Sequence, residues 1–595
     1  MCGIFALFNN NHSFTNEQIE RAFNLGVNRG PEKSDLINLD DITFGFHRLA
    51  INGLDTQSGQ PMRINNCLLI CNGEIYNYKE LFNVVNIKPQ TSSDCEIIIH
   101  LYKLYGIEDT LKMLDGVFAF ILYDIDNSKL FVSRDPFGVR PLYCMSVNHN
   151  YNLSDNKTHN IETSIMKKRV TNDNIIGFSS TLNVLSELFN VNGELVYNTK
   201  HLSISDSKIL QRLYKDVSIK QFTPGTYSSY VLENNQWCLQ YNKIYHLPLN
   251  FTQMSYTKPN KKIINYYYEQ ICYYLNQAVK KRVVGTSDRP IACLLSGGLD
   301  SSLIAALVNK YYDKQLETYS IGMAGSDDLK NARIVAKHLN SKHNEIVMTE
   351  DEFFAAIPDV IKNIESYDTT SVRASVGNYL IGKYIKNNSD AKVIFNGDGS
   401  DELTGGYIYF LACPDNIEFD RECKRLLKDI HLFDVLRSDK SISSNGLEPR
   451  TPFLDKEWVN YYLSIPVMLR NPLNFKEKDK QIEKYLLRKA FDICEPDLIP
   501  KEILWRHKEA FSDGVSGNNG SWYEIINNKV NNLKITYPND VDYNHIVPKT
   551  NEQRYYRLLY DTMFPNTSEI VPYLWMPKYV ETNDCSARTI DFYAS

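Results

Sequence analysis

Residues 293 to 307 read CLLSGGLDSSLIAAL: a short apolar run, two glycines, an aspartate and two serines, then an apolar pattern of helical spacing. A strand, a glycine-rich turn and a helix N-terminus aim several backbone N–H groups at one point, and the helix dipole adds partial positive charge there. Such a point binds phosphate. The common nucleotide loop, G-x-x-x-x-G-K-S/T, carries a lysine for the β- and γ-phosphates. Here Gly298 is followed by Leu299, Asp300, Ser301 and Ser302, with no lysine. Hydroxyls and N–H groups alone suit a pyrophosphate held as a leaving unit, with Asp300 meeting it through Mg²⁺, which prefers carboxylate and phosphate oxygens. The bond broken would lie at the α-phosphate. Glycines at such a turn also occur merely because the chain must bend tightly, so this loop does not decide alone.

A second turn corroborates it. AKVIF (391–395) runs straight into NGDGSDELTGGYIYF, which carries Asp398, Asp401 and Glu402. Two acidic, glycine-rich turns after apolar strands can face one another beyond the C-terminal ends of a parallel sheet, where ligands bind in such folds. Asp300 and Asp401 could then share a Mg²⁺ ion. Together the turns predict an ATP site.

The chain opens MCGIFALF. By composition alone Cys2 is a small apolar residue. With Met1 removed, however, Cys2 carries a thiol and a free α-amine on one residue. Their reference pKa values, about 8.5 and about 7.7 to 8.0, lie close together, so the amine can take the thiol proton directly or through water. Acyl transfer also needs donors for a developing oxyanion, and LLICNGEIYNYKEL offers Asn72 and the backbone of Gly73. A substrate that is itself an amino acid needs a cation for its carboxylate and an acid for its amine. Arg48 in GFHRLAI and Asp94 in TSSDCEIII could supply them.

These residues need scaffolds. IACLL, LETYSIGM, HNEIVMT and AKVIF read as strands alternating with helical patterns around 328–339, 352–363 and 374–386, the pattern of a doubly wound parallel sheet. The part before residue 246 is β-rich, and HLPLNFTQMSYTKPNKK separates it from the helical INYYYEQICYYLNQAVKKRV. The predicted division is 1–245, a linker over 246–262, and 263–595. Beyond residue 410 the pattern turns mostly helical; SNGLEPRTPFLDKEW and LWRHKEAFSDGVSG interrupt it and carry Arg450 and Lys508. By residue type these read as surface cations on loops. The segment 146–176, rich in asparagine and without periodicity, reads as a surface loop or hairpin insertion.

A chain of 595 residues exceeds one ordinary core. A net charge of -6 and no sustained Lys/Arg stripe give no electrostatic footprint for nucleic acid, which leaves small-molecule substrates. No stretch approaches the roughly 18 apolar residues of a membrane span, and FNNNHSFTNEQIERAF breaks any leader-like apolar core, so a cytoplasmic location is expected. Twelve cysteines without a C-x-x-C pair or zinc spacing read as reduced thiols. The oligomeric state is left open by the sequence; a homodimer is compatible with it.

Taken together, CGIFALF, NRGPE, HRLAI, CNGEIYNY, SDCEI, DGVFAFILYD and RDPFGVRPLY, followed by LSGGLDSS, YDTTSVRAS, GDGSDELTGGYIYF, NGLEPRTPFLD, LWRHKEAFSDGV and SARTIDFY, make the chain resemble the glutamine-dependent asparagine synthetases over nearly its whole length. The opening segments alone fit any amidotransferase with an N-terminal cysteine; LSGGLDSS narrows the choice. The resemblance implies a four-layer αββα N-terminal-nucleophile glutaminase joined by an ammonia tunnel to a doubly wound, ATP pyrophosphatase-type synthetase with a helical extension. It implies Cys2 as nucleophile, Asn72 and Gly73 as oxyanion hole, and Arg48, Glu74 and Asp94 as the glutamine site. For ATP and pyrophosphate it implies Leu295, Ser296, Gly297, Gly298, Asp300, Ser301, Ser302, Ile321 and Gly397, with Asp300 and Asp401 as Mg²⁺ ligands and Asp398 and Lys508 as catalytic groups. Glutamine, aspartate and ATP would be the substrates.

Four positions depart from the family's pattern. The turn usually written S-G-E-G is here Asn396, Gly397, Asp398, Gly399, so a hydroxyl and the longer carboxylate are both replaced. Glu32 stands where aspartate is usual and Cys585 where proline is usual; both read as peripheral. Two rival readings are a related synthetase that activates another carboxylate, as in β-lactam formation, and a non-catalytic glutamine- or nucleotide-binding protein. Cys2 with Arg48, Asn72 and Asp94 argues against the first. Asp300, Asp401 and Lys508 argue against the second.

Overall fold

The computed structural model describes residues 2–39, 41–147, 175–191, 194–195, 217–246, 252–254, 259–286, 288–475, 481–508, 514–516, 520–533, 543 and 545–590. In the first half the strands are β1 (Gly3–Phe8), β2 (Lys33–Leu39), β3 (Ile42–Arg48), β4 (Met62–Ile64), β5 (Cys67–Ile75), β6 (Gly116–Asp124), β7 (Lys129–Arg134), β8 (Tyr143–Val147), β9 (Ile175–Ser179), the short ribbon β10 (Asn190–Val191) and β11 (Glu194–Leu195), β12 (Val217–Gln221), β13 (Thr226–Glu233) and β14 (Gln236–Ile244). They form two antiparallel six-stranded sheets, in the orders β12-β8-β9-β1-β3-β2 and β14-β13-β7-β6-β5-β4.

The reason for the layering is written in β1, GIFALF, which is apolar on both faces. Side chains alternate along a strand. Ile4, Ala6 and Phe8 therefore meet Leu68, Ile70, Ala119 and Ile121 of the facing sheet, while Phe5 and Leu7 meet Ile19 and Phe23 of helix Asn16–Asn24 and Leu182 and Leu185 of helix Leu182–Glu187. On the far side, Leu69, Cys71, Phe118 and Phe120 pack on Ile97, Ile98 and Leu101 of helix Glu96–Met113. The outcome is the four-layer αββα sandwich that the sequence led us to expect.

The second half holds β15 (Ile291–Leu294), β16 (Glu317–Gly322), β17 (Lys342–Val347), β18 (Val393–Phe395) and β19 (Glu448–Arg450), all parallel, in the order β17-β16-β15-β18-β19. Helices Leu299–Tyr311, Asp327–Leu339 and Thr369–Asn388 lie between successive strands, and helices Asn416–Asp429, Asp434–Ser443, Lys456–Ser464 and Tyr485–Cys494 extend the unit. The helix expected over 352–363 is two, Glu350–Ala355 and Ile357–Ile364, with Pro358 in the first turn of the second, where it lacks no needed N–H. Strand β19 was not anticipated. Three residues show no periodicity, and a proline is tolerated because the strand lies at the edge.

The insertion expected over 146–176 starts and ends in paired strands, Val147 opposite Ile175; 148–174 lie outside the described residues. The halves share one core, since Leu49, Ile51, Val117, Phe137 and Val139 pack among Leu295, Leu303 and Phe453. Ion pairs span the same contact: the buried Arg29 to Asp439 at 2.8 Å and Arg140 to Glu448 at 3.3 Å, and the partly exposed Lys281 to Asp115 at 2.6 Å. No helix among the described residues is long and apolar enough to cross a membrane.

Candidate active site

Cys2 immediately precedes β1 and reaches across the sandwich to β5. Its backbone nitrogen donates to Asn72 Oδ1 at 3.2 Å, and this is the nitrogen that would become the α-amine if Met1, outside the described residues, were removed. With Oδ1 so engaged, the completely buried Nδ2 of Asn72 has no hydrogen-bond partner. An unpaired buried donor is unfavourable. Beside a nucleophile it is what a developing oxyanion requires. Gly73 follows, opposite Phe118; a Cβ there would fall 2.6 Å from the Val117 oxygen, so only glycine lets β5 and β6 close at this point.

The half-buried Cys2 thiol touches the Leu49 oxygen at 3.7 Å, and burial pushes it up to about 11. Reference values describe solvated groups, and this thiol is desolvated by burial. Around it, Asp94 Oδ2 accepts from Ile75 N at 2.7 Å, Glu74 Oε2 accepts from Asn52 Nδ2 at 2.7 Å, and Arg48 at the end of β3 donates to the Gly53 oxygen at 2.5 Å. Burial pushes Asp94 up to about 6; burial, then the charge of Asp94, carries Glu74 well above the carboxylate range.

The two glycine-rich turns do face each other. A Cβ on Gly397 would lie 2.8 Å from Asp300 Cβ, and Ser400 Oγ donates to Asp300 Oδ1 at 2.8 Å. Leu295, Ser296, Gly298, Asp300 and Ser301 of the first turn, Ile321 of β16, Gly397, Asp398 and Asp401 of the second turn, and Lys508 line one cavity. Gly297 and Ser302 stand behind its wall. Gly297 has φ of +75°, and a Cβ on it would meet Ala332 N at 2.5 Å; Ser302 is completely buried. Ser296 N donates to Ser301 Oγ at 3.2 Å, which bends the turn onto the N-terminus of helix Leu299–Tyr311.

Asp401 contacts Lys484 Nζ at 2.6 Å and Lys508 Nζ at 2.5 Å. Burial alone would raise its carboxyl; the two ammoniums outweigh burial and hold it below the usual range. Asp398 Oδ1 lies 3.4 Å from Arg437, its Oδ2 is buried without a hydrogen-bond partner, and burial raises the carboxyl above its ordinary value. Asn396 braces the turn from both sides: its N donates to the Arg450 oxygen at 3.1 Å and its Nδ2 to Ser438 Oγ at 2.7 Å. The amide that replaces the family's serine thus ties β18 to helix Asp434–Ser443.

Mg²⁺ is the implied metal. Two carboxylates beside a phosphate-binding turn are its usual protein donors, Asp300 and Asp401 line the same cavity, and the residues fit the ion. Among the described residues no group of three or more His, Cys, Asp or Glu could hold a metal, so phosphate oxygens would complete the shell.

Sequence reading missed Lys484, Asp434, Arg437 and Tyr407, which line the same cavity. The Tyr407 hydroxyl lies 2.6 Å from an oxygen of Glu402 and 2.6 Å from one of Asp434, and Arg437 pairs with Asp434 at 2.5 Å. Asp434 and Arg437 are three apart on a helix, a spacing shared by any solvated ion pair, and nothing local marks them. One reading is corrected. Arg450 is no surface cation: it is 1% exposed, because β19 lies between the halves, and its guanidinium meets Glu448 at 2.7 Å and Glu74 at 3.4 Å, charges that offset its desolvation. Glu32 is exposed; it accepts from Ala50 N at 2.9 Å and pairs with Arg289 at 2.5 Å, bracing the segment whose Leu49 touches Cys2.

The sandwich with a cysteine facing an unpartnered amide, joined to a parallel sheet with two apposed acidic turns, defines an amidotransferase coupled to a nucleotide-dependent synthetase. Residues 1–241 match the family model described as glutamine amidotransferase domain, and residues 271–418 and 412–536 match that described as asparagine synthase. Glutamine-hydrolyzing asparagine synthetase of Gallus gallus is 39% identical over 615 residues, covering 100% of this chain and 99% of the relative; that of Homo sapiens is 39% identical over 621 residues with the same coverage. The chain belongs to the family of glutamine-hydrolysing asparagine synthetases.

Proposed function

We propose that the chain makes asparagine from aspartate, drawing nitrogen from glutamine and splitting ATP to AMP and pyrophosphate, and that its two sites divide the work as follows. The Cys2 amine takes the thiol proton as Sγ attacks the glutamine amide carbon. The tetrahedral oxyanion is received by Asn72 Nδ2 and the Gly73 N–H, ammonia departs with the proton, and water releases glutamate from the thioester. Arg48 binds the substrate carboxylate, and Glu74 and Asp94 its ammonium.

In the second site the β-carboxylate of aspartate attacks the α-phosphate of ATP, giving β-aspartyl-AMP. Pyrophosphate leaves on the Ser296–Ser301 turn, whose shape Gly297 and Ser302 fix, while Leu295, Ile321 and Gly397 wall the nucleotide. Lys508 offsets charge on the phosphates. Asp300 and Asp401 would hold Mg²⁺, which supplies further neutralisation of the departing pyrophosphate. Ammonia crossing from the first site adds to the acyl carbon, Asp398 takes its proton, and AMP leaves with the electron pair of the broken acyl–oxygen bond. A raised carboxyl with a free oxygen suits that proton transfer. The twelve free thiols support a reducing, cytoplasmic setting.

The observation that carries this reading is the apposition of the lysine-free turn at Asp300 with the acidic turn at Asp398 and Asp401, in one chain with Cys2 against Asn72. Purified protein given aspartate, glutamine and MgATP yields asparagine, AMP and pyrophosphate on this account. Formation of ADP and phosphate instead would contradict it.

A further inference from the structure

Lys484 has no part in the chemistry above, yet it is among the best-placed groups in the cavity. Its ammonium touches Asp300 Oδ2 and lies 2.6 Å from Asp401 Oδ1. It thus stands between the two carboxylates assigned to Mg²⁺.

The surroundings are built for it. Lys484 has φ of 60°, a left-handed conformation that L residues other than Asn and Asp adopt rarely, at the point where helix Tyr485–Cys494 begins. That turn directs the side chain inward, where it is 1% exposed. Gly406 clears its path: a Cβ on Gly406 would lie 2.0 Å from Lys484 Cε and 2.3 Å from Asp401 Oδ1. The ammonium therefore occupies the side of Asp401 Oδ1 that faces Asp300. Lys508 at 2.5 Å from Asp401 Oδ2 and Ser400 at 2.8 Å from Asp300 Oδ1 hold the outer oxygens.

Two buried carboxylates repel unless a cation lies between them. Mg²⁺ sheds water reluctantly and is usually bound together with substrate phosphates. We propose that Lys484 is a resident cation that holds Asp300 and Asp401 together before nucleotide binds, keeps free divalent ions off them, and gives up its place only to an ion delivered with ATP. Its ammonium then turns to the phosphate oxygens. Metal loading so becomes conditional on nucleotide. The inference rests on the ATP reading above and adds to it a positioning residue.

The test titrates Mn²⁺ into the full chain and counts bound ion by electron paramagnetic resonance, with and without α,β-methylene-ATP. The parent is expected to bind Mn²⁺ only with the analogue. Lys484→Met and Lys484→Gly are expected to bind it without nucleotide, at least about tenfold more tightly than the parent, because a positive charge has left the site. The glycine variant suits the left-handed backbone and guards against a folding failure in the methionine variant. Equal affinity of parent and both variants without nucleotide overturns the proposal and leaves the ATP reading standing. Nucleotide-dependent Mn²⁺ binding that survives Asp401→Asn places the metal elsewhere and removes both.

Discussion

The two sites of this molecule hold their polar groups in opposite ways. At Cys2 the key donor waits alone: Asn72 Nδ2 is buried without a hydrogen-bond partner, and the thiol has one weak contact, to the Leu49 oxygen at 3.7 Å. In the second site charge meets charge, with Lys484 and Lys508 on Asp401 and Arg437 on Asp398 and Asp434. The difference follows from the substrates proposed. A glutamine amide is neutral where it reacts, so a fixed donor on paired strands suffices and needs no exchange of partners. A nucleotide brings several negative charges with a metal, and a site that receives it must keep its own charges neutralised beforehand and trade partners on binding. The first site is therefore set in strands and the second in turns and helix ends.

Four substitutions and one condition test this contrast. Cys2→Ala should abolish glutamine hydrolysis, by about 10⁴-fold or more, while synthesis from added ammonia stays within about twofold; assays with either nitrogen donor read the two sites separately. Retained hydrolysis, or joint loss of both activities, would mean the sites are not independent. Asn72→Asp replaces the waiting donor by an acceptor in the same shape, and should lower glutaminase kcat by about 10² to 10³ with ammonia-dependent synthesis untouched.

In the second site, Asp398→Asn removes the proposed proton acceptor and should cut asparagine formation at saturating ammonia by about 10²-fold or more, whereas nucleotide binding survives. Asp398→Glu, which restores the family's longer carboxylate, should keep or raise the rate. An unimpaired asparagine variant takes Asp398 out of the mechanism; an inactive parent rescued by glutamate would favour a disabled synthetase. The smallest effect concerns pH. Burial pushes the Asp94 carboxyl up to about 6, so below that pH it loses the charge proposed to hold the substrate ammonium. The KM for glutamine should rise by up to about tenfold per unit as pH falls below about 6, and that for ammonia-dependent aspartate use should not follow. A flat glutamine profile from pH 5 to 7, on the order of the reference range, would deny Asp94 that role.

How much of this was legible in the sequence differs between the sites for the same physical reason. Local patterns carry what is local: GIFALF, with apolar residues at every position, requires burial on both faces, and the run from IACL into SGGLDSS spells strand, turn and helix. The apposition of the two turns also followed, since parallel strands bring their C-terminal ends to one edge. What could not be read were groups whose meaning lies in distant partners. Arg450 looks like a loop cation until β19 pairs with β18 and turns it toward Glu74. Lys484 looks like any lysine before a helix until Gly406 opens the path to Asp300 and Asp401. The Cys2 thiol has a reference pKa in sequence terms, and only burial moves it to about 11.

In the proposed function the turn at Gly298 and Asp300 releases pyrophosphate, so that aspartate is activated at the α-phosphate. Aspartate labelled with oxygen-18 in its β-carboxylate, incubated with ATP, Mg²⁺ and ammonia, tests this in one measurement by mass spectrometry of the nucleotide product. The account predicts AMP carrying a single labelled oxygen, formed in step with asparagine and unlabelled pyrophosphate. Unlabelled ADP with the label in inorganic phosphate would place the attack at the γ-phosphate and contradict it.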